Sequence, residues 1–405
     1  MNHHLASKPV SLVRGAILQG NVQINAEDDK MSLHTLYESH ETPFFKTKPS
    51  FDCNGSATAA TECTSDTSSV GDRDSSLHDS FAIYESLQAD FASKSDQDLL
   101  VGIEEAIKDE KMVLVSQLLR EMGRRNLHLK DSKRQATLLE NTRMIEDVII
   151  DHQTSPEAGG WKKNCMLHGK HGDTIIYHRL NEKQEISTRI EMALDESMLV
   201  PLFAVLYETD HYCDWIPSFQ RPFKFGMRET EKLHQVGRAL QIARARIDTP
   251  WPLRNREIVA FNVMAEAVDE IGAVVVKVKS LEEGEHSGCV IPPALPGWNR
   301  IELDGGLMVR KCPKDHPALQ KRHSEKATTD EPEKEPVLVS LTLAIRPSIN
   351  IATRAVVATL WQALLSVAED VRDGNRPGLK KAIEDKPELY RWFAASVERL
   401  KAKSM

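Results

Sequence analysis

From residue 96 onward the apolar positions recur at helical spacing. Leu99, Leu100, Ile103, Ala106 and Ile107 fall at three- and four-residue steps behind Asp96 and Asp98, which read as a helix start. Val115, Leu118, Leu119 and Met122 keep the period and stop near Gly123. Leu138, Leu139, Ile145, Val148 and Ile149 form a third stripe behind Asp131. Helices this short persist only when their apolar face packs on something. Residues 81–155 therefore predict an antiparallel helical appendage, docked on itself or on the domain that follows.

Past the Ser155-Pro156 and Gly159-Gly160 break the period falls toward two, the spacing of half-buried strands. Residues 163–169, 174–180 and 185–193 read as three strands, joined by turn-forming Lys170-His171-Gly172-Asp173 and Asn181-Glu182-Lys183. A helical run over 197–212 follows. Strands near 225–233, 239–248, 257–268, 273–280, 299–311 and 337–346 come next, and an amphipathic helix over 350–372 closes the unit. The fold class is α+β: a curved antiparallel sheet around a long C-terminal helix, with an inside filled by side chains or by a ligand. This unit spans 161–373 and carries a polar insertion at 314–336 that reads as disordered. A last amphipathic helix over 385–403 has Pro387 in its first turn and Leu389, Trp392, Phe393, Val397 and Leu400 on one face, which predicts docking on the same chain.

Composition narrows the function. Residues 1–80 read as disordered, since 50–80 are dense in Ser, Thr and Asp and poor in large apolar side chains. The 405-residue chain has a net charge of −8, so no global field draws nucleic acid or an anionic membrane. Its six cysteines lack paired spacing and read as reduced thiols. No run reaches the roughly 18–20 apolar residues of a membrane span, and residues 1–4 do not open a secretory signal. A cytoplasmic protein, peripheral to membranes at most, is expected.

Four segments stand out. Thr249-Pro250-Trp251-Pro252-Leu253-Arg254-Asn255-Arg256-Glu257 is a proline-stiffened apolar turn leading into a strand. Asp214-Trp215-Ile216-Pro217 follows a helix. Trp298-Asn299-Arg300-Ile301-Glu302 leads to Gly305-Gly306-Leu307, and Arg346-Pro347-Ser348-Ile349-Asn350 opens the closing helix. In this order, over about 210 residues, they resemble the START (steroidogenic acute regulatory protein-related lipid transfer) domain family. Glu257 replaces the family's usual Asp, and Arg346 sits where many members carry an acid. The resemblance implies a helix-grip fold enclosing one lipid, sterol or phospholipid, without enzymatic activity. It also implies transient membrane contact and a gate made by the closing helix and the loop before the Asn255-Arg256 strand.

The residues carry these expectations unevenly. Pro250, Trp251, Pro252 and Leu253 form either the cavity mouth, touching a bilayer or the incoming lipid, or a buried turn beneath the closing helix. Val357, Leu360, Trp361, Leu364, Ala368 and Val371 share one face of that helix, at once core and lid. Arg244 and Arg246 point to one side of a strand; inward they would be polar cavity contacts paired with Glu191 or Glu266, outward solvated charges. Arg256 with Glu257 reads as a structural pair. Cys165, His168 and His171 have ligand-like spacing, but on a strand positions three apart diverge, so no metal is expected. His211 and Cys213 are too close along a helix end to pair as base and nucleophile. No phosphate loop, zinc-protease or nucleophile-elbow motif is present, and no cofactor is expected. Two alternatives remain. One is an enzyme on the same fold, a cyclase or hydrolase, drawing on Glu191, Glu266, His178 and His234. The other is a scaffold with a filled cavity whose N-terminal helices bind a protein partner.

Overall fold

A computed structural model describes residues 91, 93–180, 186–218, 226–249, 251, 253–319, 336–346 and 352–402, with side chains of the last segment from 357. Residues 1–80, Pro250, Pro252 and most of the 314–336 insertion lie outside the described residues.

From residue 96 the described residues form three helices: α1 (Asp96–Lys108), α2 (Met112–Arg124) and α3 (Ser132–Gln153). The α1 cap is Ser95 rather than either aspartate. Its hydroxyl accepts from the Asp98 N–H, and the Asp98 carboxylate accepts from the Ser95 N–H, a reciprocal capping box. Asp131 caps α3, accepting from the Arg134 N–H at 3.0 Å.

Strands β1 (Lys162–Gly169), β2 (Gly172–Leu180) and β3 (Ile186–Leu194) follow as a meander at one edge of the sheet. The chain then crosses to the far edge through α4 (Leu199–Tyr207) and α5 (Tyr212–Trp215). β4 (Gly226–Val236), β5 (Leu240–Asp248), β6 (Asn255–Ala267), the short α6 (Val268–Ile271) and β7 (Ala273–Ser280) return inward. After the β8 (Gly284–His286) and β9 (Cys289–Ile291) hairpin come β10 (Trp298–Arg300), β11 (Glu302–Lys311) and β12 (Val337–Arg346). The order across the sheet is β1-β2-β3-β12-β11-β7-β6-β5-β4, all antiparallel, with β10 alone parallel to β6. The strand expected over 299–311 is thus two strands with different partners, broken at Ile301. Helices α7 (Ala352–Arg372), α8 (Pro377–Asp385) and α9 (Pro387–Ala402) end the chain.

Side-chain alternation splits the sheet into two apolar faces. Leu307, Val309, Val274, Met264, Ile190 and Met192 point to the face that carries α4, α7 and α9. Met308, Val275, Ala273, Val263 and Phe261 point to the other, against α1, α2 and α3. The architecture is therefore α+β with a helix-grip arrangement, its long helix α7 on one face and the N-terminal appendage on the back. Because α4 is buried almost all round, it reads as an apolar run (Leu199, Pro201, Leu202, Phe203, Ala204, Val205, Tyr207) rather than a stripe. Phe393 of α9 stacks on Phe203 at 5.1 Å between ring centroids. Tyr390 and Lys386 both donate to the buried Glu208 carboxylate.

The appendage is fixed to the back of the sheet by a close approach and by a polar knot. A Cβ on Gly306 would lie 2.7 Å from Val148 of α3, so glycine lets the helix sit down on β11. At the end of α3, Arg189 of β3 is 1% exposed. It donates to the carbonyls of Asp151, His152 and Thr154 at 2.8, 3.1 and 3.3 Å. A cation there also complements the negative end of the helix dipole. Arg189 pairs in addition with Glu191 at 2.6 Å. His152 sits between Ser340 (2.7 Å) and Thr342 (3.2 Å) of β12.

Candidate functional site

The turn between β5 and β6 is closed by its own ends. The Thr249 N–H donates to Asn255 Oδ1 at 3.1 Å, and the Thr249 hydroxyl donates to the Arg254 carbonyl at 2.7 Å. Thr249 and Asn255, first and seventh residues of the proline-rich segment, thus hold the turn shut and leave its centre facing solvent. Trp251 is 88% exposed and Leu253 is 37% exposed. A buried turn beneath α7 is excluded by that exposure. Pro250 and Pro252 lie outside the described residues.

On α7, Val357, Trp361, Leu364, Leu365, Ala368 and Val371 are buried toward the sheet, and Leu360 is half-buried. A salt link joins the helix to the β1–β2 turn: Lys170 pairs with Glu369, and His171 Nε2 lies 3.5 Å from the same carboxylate. The Lys170 hydrogen bond holds Glu369 below the usual carboxylate range. Burial pushes His171 below its ordinary value, so the imidazole is neutral at pH 7. Beside this link a cleft of about 70 Å³ is lined by Lys170, His171, Thr174, Met192, Leu365 and Ser366. Pockets that take drug-sized ligands run to roughly 300–1,000 Å³, so this cleft is no lipid chamber.

Arg244 and Arg246 lie on the same sheet face as Ile242, the back that carries α1–α3, and so do not face α7. Their partners are Glu231 and Glu229 of β4 and, at 3.0 Å from Arg246, Glu257, rather than Glu191 or Glu266. The Arg256–Glu257 pair is corrected as well. Neighbours on a strand point to opposite faces, and Glu257 is held instead by Arg246 and by Arg300 at 2.6 Å. Burial alone would raise the Glu257 carboxyl, but the two guanidiniums outweigh it and hold it below the ordinary value.

The acid–base candidates do not converge. Glu191 faces the back of the sheet with Arg189, while Glu266 faces the α7 side, 3.0 Å from Arg399 of α9. His211 bonds Asp214 at 2.9 Å and Cys213 is exposed, so the two do not meet. His168 bonds Asp173 at 2.8 Å, and among the described residues no three His, Cys, Asp or Glu are placed to hold a metal. Among those residues, too, no helix is long and apolar enough to cross a membrane. Sequence reasoning missed Arg300, which β10 brings to Glu257 through a parallel pairing only three residues long. It also missed His316, which reaches Glu191 from 125 residues away.

No protein-family model matches the chain, and no curated protein matches it in sequence. Solved structures do. Human STARD10 is 10% identical, covering 65% of this chain and 90% of that one, with a TM-score of 0.42. A STAR-related lipid transfer protein fragment from Xanthomonas axonopodis is 18% identical, covering 52% and 99%, with a TM-score of 0.35. Human StAR-related lipid transfer protein 5 is 12% identical, covering 59% and 99%, with a TM-score of 0.39. The chain is similar to these proteins; the roles of its residues rest on its own contacts.

Proposed function

We propose that this chain is a non-enzymatic lipid carrier or sensor that holds one lipid between the sheet and α7. In this reading α7 and the Trp251 turn are its gate. The observation that carries the reading is Trp251, 88% exposed at the tip of a turn whose ends are closed on themselves. A large aromatic held outward from a turn closed at its ends has a use when something apolar meets it. Val357, Trp361 and Leu364 give α7 an apolar underside against which an acyl chain or ring system can replace protein contacts. Burying such a chain yields about 25 cal/mol per Å². The Lys170–Glu369 link then holds α7 shut, and its release is the slow step of exchange.

Two measurements test the reading. The purified chain is expected to take up one labelled sterol or phospholipid, seen by native mass spectrometry. Failure to take up either class overturns it. Lys170→Ala is expected to speed lipid release several-fold without lowering affinity for the closed state's partner lipid class; an unchanged release rate removes α7 from the gate.

A further inference from the structure

A second turn stands beside the first. Leu295-Pro296-Gly297-Trp298 closes through the Trp298 N–H, which donates to the Leu295 carbonyl at 3.0 Å. Gly297 has φ +82°, the conformation a type II turn requires at its third position behind a proline. From this turn the chain enters β10, which runs parallel to β6 with Trp298 opposite Asn255. Asn255 is also the residue whose side chain closes the Trp251 turn. The parallel register therefore sets the 295–297 tip next to Leu253 and Arg254, at the same end of the sheet. Leu295 is 42% exposed, with Pro292, Pro293 and Pro296 exposed around it.

We propose that the 292–298 turn and the Trp251 turn are two prongs of one membrane-docking rim, whose partner is a bilayer carrying anionic headgroups. It rests on the reading of Trp251 as bilayer-facing and adds the second prong and the headgroup charge. Three observations point to a bilayer rather than a protein. The apolar groups project from two adjacent turn tips, whereas a protein partner fits a broad patch with a packed centre. Pro292, Pro293 and Pro296 have no N–H, so the tip carries fewer donors to be stranded in a layer without water. A cation sits at the foot of the prongs: Arg254 is exposed, whereas Arg228, whose guanidinium lies 5.1 Å from the centre of the Trp298 ring, is already paired with Asp248 at 2.6 Å. In a chain of net charge −8, attraction to acidic lipids has to come from such a local group.

The test is flotation of the full chain with phosphatidylcholine vesicles, with and without phosphatidylglycerol. Wild type is expected to float with the anionic vesicles and less with neutral ones. Leu295→Asp and Trp251→Asp should each weaken binding roughly tenfold or more, and Arg254→Glu should abolish the preference for phosphatidylglycerol. Val101→Asp, at an exposed apolar position on α1, should float as wild type does. Leu295→Asp should still take up a labelled lipid offered in detergent, which separates docking from lipid holding. The proposal is overturned if wild type floats with neither vesicle, if Leu295→Asp floats like wild type, or if Val101→Asp weakens flotation equally. Wild type that floats but takes up no lipid upholds the rim and sinks the carrier reading alone.

Discussion

Replacing Arg189 with methionine removes the guanidinium that donates to three carbonyls at the end of α3 and ties that helix to the sheet. Glu191, 2% exposed, then keeps His316 at 3.2 Å, the Tyr177 hydroxyl and the charge of the buried Arg310. The Ala318 N–H donates to His316 Nδ1, so Nε2 carries the proton that the carboxylate accepts. In the intact protein burial pushes the Glu191 carboxyl up, but the His316 hydrogen bond and the Arg189 charge outweigh it and hold it at about 2, against an ordinary 4.5. At about 1.4 kcal/mol per pH unit that difference is worth about 3 kcal/mol. It agrees with the roughly 3–5 kcal/mol lost when one member of a buried ion pair is removed. Because the folded value is depressed, the stabilisation is present above pH 4.5 and is lost as pH falls toward 2. Arg189→Met is therefore expected to lower stability by about 3–5 kcal/mol at pH 7, and to flatten the acid limb below pH 4.5. Urea unfolding followed by far-ultraviolet circular dichroism at several pH values reads both effects. The double variant Arg189→Met/Glu191→Leu should recover part of the loss, since it removes the buried carboxylate that the single variant leaves without its guanidinium. A loss under about 1 kcal/mol in the single variant, or no recovery in the double, would refute the assignment.

Three further outcomes follow from the same packing. Burial, with the Arg189 charge behind it, lowers His152 to about 3 from 6.5. The unfolded chain therefore binds a proton that the folded chain refuses, and stability should fall by up to about 5 kcal/mol as pH drops from 6.5 to 3. In His152→Gln that slope should vanish; a slope unchanged in urea midpoints between pH 6.5 and 5 would count against it. Gly306→Ala, with its new methyl 2.7 Å from Val148, should cost about 1–3 kcal/mol in thermal unfolding. Val148→Ala in the same chain should relieve the clash, and an equal loss in both backgrounds would disprove it. Phe393→Ala removes a buried ring stacked on Phe203 and should cost about 3–5 kcal/mol. Limited proteolysis should then release α9 before the sheet unfolds; simultaneous loss would show that α9 is no separate unit.

Where the pattern was regular the chain was legible. β12 and β7 fall where alternation put them, because Val337, Val339 and Leu341 meet one face while Leu338 and Ser340 meet the other. The single strand expected over 299–311 hid a break, because a three-residue parallel pairing leaves no periodicity to detect. α8 went unread for a similar reason: nine residues with Pro377 and Gly378 at their start look like a linker. The Arg256–Glu257 pair was inferred from adjacency, which on a strand is the arrangement that separates side chains. Its true partners, Arg246 and Arg300, come from two other strands, and only sheet register brings them near. The same holds for Leu295, whose place beside the Trp251 turn is set by register and by nothing local.

The position of β12 bears on how the chain is made. It is the last strand synthesised, yet it lies between β3 and β11 in the middle of the sheet. Until Val337–Arg346 has left the ribosome, the β1–β3 meander has no partner on its inner edge, and neither has β11. At about 5–20 residues per second these open edges persist for several seconds, offering unpaired N–H and C=O groups to any neighbouring chain. A nascent chain arrested before Val337 is thus two half-sheets with sticky borders rather than a shorter version of the protein. Arrival of the tenth and final strand of the large sheet joins them in one step and places α7, which follows directly, over the finished floor.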